Sequence, residues 1–184
     1  MSGASASAVC CDNYSGGRDV ALRLAAAGHQ RPAFVSGLDD ASTNVDRLKG
    51  FRDGCAEGDL PDPVVISGGD FTYETGYRGM QLLFENGKGP DAVLCANDIV
   101  AIGAMDAARR ELGLRIPQDV SVIGFDDIAM ASWPSHELTT VRQPMNAMLD
   151  RVMEELERLL SSESKEAREH FLPGRLIIRK SARL

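Results

Sequence analysis

The sequence contains few of the residues and runs on which several specialised classes of protein depend. Its 184 residues include one Trp and four Cys, and no two cysteines have the CxxC spacing of a metal or redox site. Adjacent Cys10 and Cys11 cannot readily form an unstrained disulfide, so we expect free thiols in a reducing cytoplasm. No run approaches the ~18 apolar residues of a membrane span. The first eight residues are small and polar, unlike a signal peptide. We therefore expect a cytoplasmic protein that neither spans nor binds a membrane.

Clustered positive charge is also scarce. The chain has 20 Lys and Arg against 27 Asp and Glu, a formal net charge of −7. Binding to DNA phosphates requires clustered Lys and Arg. The one basic segment, residues 175–183, is too narrow for a DNA-binding stripe and is interpreted as a solvated terminal strand. The hydrophobic content of 43% is sufficient for a core, and the length is that of a single ordinary domain.

Motifs typical of enzymes are missing. HELTT at residues 136–140 begins like a zinc-protease motif but has Thr where the second His should stand. The three histidines lie far apart, and there is neither a GxSxG elbow nor a phosphate-binding GxxxxGK[ST] loop. The glycine pairs at 16–17 and 68–69 are interpreted as turn residues. We therefore predict no enzymatic activity, no metal and no cofactor.

Apolar runs of strand length alternate with helical patterns along most of the chain. The predicted strands are residues 9–11, 32–36, 64–67, 92–95, 120–125, 138–141 and 176–178. The predicted helices are residues 14–27, 43–57, 72–86, 99–112 (after a turn and cap at 97–98) and 144–160, with a charged loop at 161–169. This alternation predicts an α/β fold, a doubly wound parallel sheet with helices on both faces.

Polar side chains follow two of the predicted strands. Asn97 and Asp98 come after strand 92–95, and Asp126 and Asp127 end strand 120–125. The carboxyl ends of parallel strands meet at one edge of a sheet, where ligands bind. Asp126 can accept hydrogen bonds from vicinal hydroxyls or from an N–H pair, and Asn97 offers both a donor and an acceptor. The pattern predicts a binding site, although capping of the following helix would by itself explain Asn97 or Asp98.

Two further side chains could complete such a site. Arg47 offers a planar fork of donors, and Phe71 offers a flat apolar face for a sugar ring or a base. Each has an alternative interpretation, because Arg47 could be a helix-surface charge and Phe71 could belong to the core.

Six segments together resemble one known family. In order, they are DNYSGG (12–17), AAAGHQRPAFVSG (25–37), DRLKGFRDG (46–54), GDFTYETGY (69–77), CANDIVAIGAMDAARRELGLRIPQDVSVIGFDD (95–127) and LTTVRQP (138–144). The chain resembles the effector-binding region of the lac repressor/galactose repressor family of bacterial transcription regulators. The resemblance implies a periplasmic-binding-protein-like fold, in which a small sugar-like effector lies between two lobes.

The resemblance also implies roles for individual residues. The positions that match effector-contacting residues of the family are Arg47, Asn97 and Asp126 for hydrogen bonds, Phe71 for an aromatic wall, Thr43 for a polar contact in some members, and Gln143 at the crossover near the ligand. It further implies a homodimer, whose interface we expect to include Ile102, Met105, Met130 and Trp133.

The chain departs from the family pattern at its start. Members begin with a helix-turn-helix, a hinge helix and the first part of an N-terminal lobe, through which they bind operator DNA. We expect residues 9–184 to form the C-terminal lobe, residues 1–8 to be a linker or a cloning remnant, and helix 144–160 to belong to the absent lobe. The apolar stripe of that helix should then be covered by self-association, by exchange with a second chain or by folding back.

Two other functions remain open at this stage. A periplasmic solute-binding protein for sugar transport shares the architecture, although the sequence has no signal peptide. The second is an α/β enzyme that uses Asp126 or Asp127 as its acid–base residue, although no nucleophile and no set of metal ligands lies nearby in the sequence.

Overall fold

The computed structural model describes residues 6–161 and 166–184 as an α/β structure. The helices are α1 (Asn13–Ala26), α2 (Ser42–Glu57), α3 (Tyr73–Phe84), α4 (Asp98–Arg110) and α5 (Met145–Ser161). The strands are β1 (Ala8–Asp12), β2 (Pro32–Val35), β3 (Val64–Ile66), β4 (Ala92–Cys95), β5 (Ser121–Asp126), β6 (Thr139–Arg142), β7 (Glu169–Pro173) and β8 (Arg175–Ile177). No helix in the described ranges is long and apolar enough to cross a lipid bilayer.

Six strands form the main sheet, in the order β3-β2-β4-β5-β6-β8. The first five of these are mutually parallel, and β8 runs antiparallel to β6 at the edge. β2 and β4 are buried along their whole length, so their sequences are continuous apolar runs and do not alternate between apolar and polar residues. The prediction of a doubly wound, mostly parallel sheet is confirmed.

Helices cover both faces of this sheet. The side chain of Phe34 packs with Phe51 and Phe125 on the face covered by α1 and α2. The neighbouring Val35 packs with Met105 on the face covered by α3 and α4. Successive side chains of a strand point to opposite faces, so β2 contributes to both cores. We call the six-stranded sheet with α1–α4 the main lobe.

Glycines allow the two helices on each face to approach closely. A Cβ at Gly50 would collide with the carbonyl oxygen of Tyr14, and one at Gly76 would collide with that of Val100. The pair Gly16-Gly17 lies inside α1 at such a crossing, so its prediction as a turn was wrong. Gly68 does lie in a turn, with a φ of +79° that favours glycine.

The remaining strands form a separate pair. β1 runs parallel to β7, outside the main sheet, and α5 packs beside them. We call β1, β7 and α5 the outer segment. The sequence did not predict β7, which was assigned in part to a loop at 161–169, of which residues 162–165 lie outside the described residues. The predicted linker 1–8 also extends too far, because Ala8 opens β1, while residues 1–5 are not among those described.

The outer segment meets the core of the main lobe through Cys11 of β1 and Met148 of α5, but most of the apolar side of α5 stays exposed. The apolar side chains of α5 that are exposed are Met145, Leu149, Val152, Met153, Leu156 and Leu160. The buried residue of this helix is instead Glu155, which accepts a hydrogen bond from Ser7 Oγ at 2.7 Å and lies 3.5 Å from His170 Nε2 of β7. Glu155 thus links α5 to β7 and to the residue before β1.

Candidate functional site

The carboxyl ends of the parallel strands bring several of the predicted residues to one edge of the main sheet. β4 and β5 are neighbours and parallel, so Asn97 after β4 and Asp126 at the end of β5 lie at the same edge. Gln143 follows β6, which pairs with β5 through Asp126 and Arg142. The prediction that Asn97 and Asp126 lie at one edge of the sheet is confirmed, and Gln143, named from the family resemblance, lies at the same edge.

Arg47 lies at the centre of this edge. Its guanidinium comes from α2, is only 4% exposed, and stands 3.8 Å from the ring centre of Phe125. Nη2 lies 3.3 Å from Asp126 Oδ1, Nε donates to Asn13 Oδ1 at 2.9 Å, and Nη1 donates to the Ala96 carbonyl at 2.5 Å. Burial lowers the pKa of Arg47 and the Asp126 carboxylate opposes that shift, so the side chain stays charged. It is not a helix-surface charge.

Asp126 is held from two sides. Arg47 Nη2 and Gln143 Nε2 both donate to Oδ1, the latter at 2.6 Å. Within the described part of the chain, Oδ2 accepts no hydrogen bond, and 27% of the side chain remains exposed. Burial raises the pKa of Asp126, while Arg47 and Gln143 lower it. One carboxylate oxygen is thus fixed by the protein, and the other has no donor among the described residues.

The adjacent carboxylate has a different environment. Asp127 Oδ2 pairs with Arg142 Nε at 2.5 Å and Oδ1 with Arg179 Nη2 at 2.7 Å, and its side chain is only 5% exposed. Both aspartates adopt positive φ, 113° at Asp126 and 57° at Asp127, which L-residues seldom do. This backbone turns the two neighbouring carboxylates towards different partners. Asp127 serves the structure of the edge, and Asp126 faces its opening.

The other predicted residues are less closely linked to Asp126. Asn97 caps α4, since its Oδ1 accepts from Val100 N at 2.9 Å, while its amide nitrogen is not used in the cap. Phe71 is half-buried and packs over Gly37, where a Cβ would collide with the ring. Thr43 lies half-buried in the first turn of α2, and no hydrogen bond joins it or Phe71 to the Arg47–Asp126–Gln143 cluster.

Sequence reasoning assigned no role in the site to Asn13 and no burial to Asp98. Asn13 is buried and orients Arg47, while its own amide donates to the Cys11 carbonyl at 3.0 Å. Asp98, which the sequence placed at this edge with helix capping as an alternative, is fully buried. Burial raises the pKa of Asp98 to about 7, opposed by hydrogen bonds from Thr140 and Ile128. The DNYSGG segment was a usable signal for Asn13, whereas nothing local distinguishes Asp98 from an ordinary capping residue.

An open concavity adjoins the cluster. Its lining includes Asp126, Asp127, Arg142, Gln143, Pro144 and Met145. The lining offers one charged donor, two carboxylates and an amide beside apolar surface, a composition typical of ligand sites. In residues 6–161 and 166–184, no group of three or more His, Cys, Asp or Glu is arranged to hold a metal ion.

The predicted dimer residues are only partly at the surface. Ile102 and Met105 are 7% and 0% exposed and belong to the core under α4. Their three-residue spacing places both on the side of the helix that faces the sheet, so naming them as interface residues was wrong. Trp133 is 50% exposed and stacks on His136, and Met130 is half-buried against the same core.

Comparison with known proteins agrees with this geometry. Residues 21–182 match the family model described as a periplasmic binding protein-like domain. A curated relative, the HTH-type transcriptional regulator CelR of Thermobifida fusca, is 35% identical over 171 residues, covering 92% of this chain and 50% of CelR. The HTH-type transcriptional regulator AscG of Escherichia coli is 37% identical over 150 residues, covering 81% of this chain and 44% of AscG.

Solved structures give the same result. A complex of the transcriptional regulator CelR with cellobiose superposes with a TM-score of 0.85 at 32% identity, over 96% of this chain and 54% of that one. The chain therefore belongs to the periplasmic binding protein-like domain family, in the form found in the lac repressor/galactose repressor regulators. It spans about half the length of the curated relatives that it matches.

Proposed function

We propose that this chain is the effector-binding C-terminal lobe of a bacterial transcriptional regulator and that it recognises a sugar-like molecule at the edge formed by Asn97, Asp126 and Gln143. The observation that carries the proposal is the state of Asp126. Its Oδ1 is fixed by Arg47 and Gln143, and its Oδ2 is free of protein donors within the described residues. A carboxylate oriented in this way can accept hydrogen bonds from sugar hydroxyls without reorganising.

The neighbouring groups suit a polyhydroxylated ligand. The side-chain amide of Asn97 has a donor that the helix cap leaves unused. Burial raises the pKa of Asp126, and the buried positive charge of Arg47 opposes that rise. We assign Phe71 and Thr43 to the far side of the same edge, where Phe71 would offer an apolar face to a ring and Thr43 a hydroxyl. Sugar recognition commonly combines such an aromatic face with several oriented polar groups.

The wider role follows from the relatives. Helix 144–160 and the β1–β7 pair would adjoin an N-terminal lobe in the whole regulator, and that lobe would supply the opposite wall of the cleft. Operator DNA would be bound by a helix-turn-helix that is not part of this sequence, and the protein would act as a homodimer in the cytoplasm. For the dimer surface we retain two residues of the main lobe. Met130 is half-buried against the core, and Trp133 is half exposed.

A role in sugar transport is less well supported than regulation. CelR and AscG are both transcriptional regulators, and the chain matches each over more than four-fifths of its own length. An enzymatic role has less support still, because two protein donors, Arg47 and Gln143, already hold Asp126 Oδ1 in place.

Isothermal titration with a panel of sugars tests the proposal directly. Ribose, glucose, cellobiose and lactose would be titrated into the chain and into Asp126→Asn, which preserves shape but removes the charge. We expect at least one sugar to bind, with Kd increased at least tenfold by the substitution, since a charged hydrogen bond contributes about 1.5–3 kcal/mol. Asp62→Asn is the matched control, because Asp62 lies exposed at the opposite end of the main lobe.

Two outcomes would contradict the proposal. One is that no sugar of the panel binds with a Kd below ~10 mM, since a larger Kd means very weak association. The other is that a sugar binds equally well to the wild type and to Asp126→Asn, which would place the ligand elsewhere.

A further inference from the structure

Asp98 lies directly behind the Asp126–Asp127 turn. It is the first residue of α4 and its side chain is fully buried. Its Oδ2 accepts from the backbone N–H of Ile128 at 2.8 Å, and its Oδ1 accepts from Thr140 Oγ1 at 2.6 Å. One side chain thus joins the start of α4 to the residue after the turn and to the neighbouring strand β6.

The turn needs such a restraint. Asp126 and Asp127 have φ values of 113° and 57°, and two consecutive L-residues with positive φ persist only where the surroundings enforce them. Ile128 is the next residue, and the bond from its N–H fixes the chain where it leaves that conformation. A buried N–H that loses its acceptor is costly, so the turn cannot readily relax while Asp98 is in place.

The packing around Asp98 leaves it little freedom. Gly124 of β5 lies against it, and a Cβ at that position would collide with Asp98 Oδ1 and approach Leu138 Cδ2 to 3.0 Å. Glycine in GFDD therefore makes room for a buried carboxylate, which explains a glycine in the middle of a strand that is buried from Ser121 to Phe125. The two segments, AND at 96–98 and GFDD at 124–127, fit together as one unit.

We infer that Asp98 is a positioning residue of the candidate site, which holds Asp126 in its ligand-accepting orientation by anchoring Ile128 and Thr140. The inference deepens the proposed function, since it concerns the same edge. Asp98 does not itself face the opening, because no part of its side chain is exposed, so its effect on a ligand must pass through the turn.

The test combines a readout that needs no ligand with one that does. In Asp98→Ala we expect the amide of Ile128 to exchange with solvent at least tenfold faster, with no comparable change at Ile123 within β5. The three-bond HN–Hα couplings of Asp126 and Asp127 should move towards values for ordinary negative φ. Asp98→Asn can still accept from Ile128 through its amide oxygen, so it should stay within threefold of the wild type. Asp106→Asn, farther along the same helix and bonded to Tyr73 Oη instead of to the turn, is the control.

Binding of cellobiose and ribose supplies the second readout, as a double-mutant cycle with Asp126→Asn. Asp98→Ala should weaken sugar binding at least fivefold in the wild-type background and less than twofold when Asp126 is already Asn. If Asp98→Ala does not fold, Asp98→Ser replaces it, because the shorter hydroxyl cannot reach Ile128.

The outcomes separate this inference from the proposed function. If Asp126→Asn weakens binding but Asp98→Ala leaves both Kd and Ile128 exchange within twofold, the inference is overturned and the proposed function stands. If Asp126→Asn has no effect on binding, the proposed function fails, and the exchange and coupling data still decide whether Asp98 anchors the turn. Equal losses from Asp98→Ala in both backgrounds would also overturn the inference.

Discussion

The main lobe and the outer segment contain similar proportions of apolar residues, but the main lobe buries large apolar side chains and the outer segment leaves most of those on α5 exposed. In the main lobe, Phe34, Phe51 and Phe125 are completely buried between sheet and helices. In the outer segment, the apolar side of α5 is exposed and the buried position is a carboxylate, Glu155. Hydrogen bonds from Arg158 and Ser7 lower the pKa of Glu155 to about 2, because they stabilise its ionised carboxylate.

This difference separates two kinds of stability. Burial of apolar surface is the dominant favourable term in folding, and the main lobe has a core on each side of its sheet. A two-stranded sheet is at best marginally stable by itself, so the outer segment depends on neighbours. The candidate site belongs to the main lobe, while its concavity is bordered by Pro144 and Met145 where α5 begins.

The largest expected effect comes from truncating the core of the main lobe. Phe34→Ala removes a fully buried ring that packs against Phe51 with centroids 6.2 Å apart, and should lower the free energy of unfolding by about 3–5 kcal/mol. The matched change in the outer segment, Leu156→Ala, should stay within about 0.5 kcal/mol of the wild type. Urea unfolding followed by Trp133 fluorescence measures both. Equal losses would remove the distinction between the two regions.

Breaking the buried polar cluster should have the next largest effect. Arg47→Met leaves Asp126 without its cation and deprives Asn13 and the Ala96 carbonyl of a donor, so we expect a loss of about 2–4 kcal/mol. Arg18→Met breaks an exposed ion pair with Glu57 and should lower the free energy of unfolding only slightly in the same urea assay. A stable Arg47→Met protein would mean that the cluster contributes nothing to the lobe.

The third effect is a dependence of stability on pH that originates at Asp98. Its pKa is raised to about 7 in the folded state, so the native protein binds a proton that the unfolded chain releases near pH 4. The free energy of unfolding should therefore decrease as pH rises from about 4.5 to 7, by up to about 1.4 kcal/mol per pH unit from this group. It should level off above pH 7.

Other carboxylates affect the free energy of unfolding in a different pH range. The pKa values of Asp119 and Glu155 are lowered to about 2, so the stability that they contribute is lost only as the pH falls below about 4. Urea unfolding of the wild type and of Asp98→Asn at several pH values isolates the Asp98 contribution. If the two proteins show the same slope between pH 4.5 and 7, Asp98 is ionised throughout that range.

The smallest effect on unfolding concerns the exposed face of α5. The double change Leu149→Gln and Leu156→Gln should alter the free energy of unfolding by less than about 0.5 kcal/mol, because both side chains are about half exposed. It should, however, reduce self-association in sedimentation velocity at increasing protein concentration. Leu82→Gln, an exposed residue of the main lobe, serves as the control. A wild type that remains monomeric at all concentrations, with this face of α5 still exposed to solvent, would contradict the expected covering of the face.

The sequence predicted the main lobe well because its physical signals are local. Apolar runs end at polar residues, and parallel strands must present those ends at one edge, so Asn97 and Asp126 could be placed together in advance. The resemblance to the lac repressor/galactose repressor family is confirmed by the family match and by the regulators CelR and AscG.

The errors arose where a residue's role depends on distant neighbours. Ile102 and Met105 were assigned to an interface although their spacing equally describes a core-facing side of α4. β7 was missed because its five residues alternate weakly and gain strand structure only by pairing with β1, some 160 residues away. Nothing adjacent to Asp98 shows that Ile128 and Thr140 will bond to it.

The most direct test of the central claim is to map backbone amide shifts while ribose and cellobiose are titrated into the ¹⁵N-labelled chain. We expect the shifts to cluster where β4, β5 and β6 end, at residues 96–98, 126–128 and 142–143. Saturating shifts confined to the opposite end of the main lobe, around the concavity lined by Pro32, Pro61, Val64 and Pro90, would contradict it.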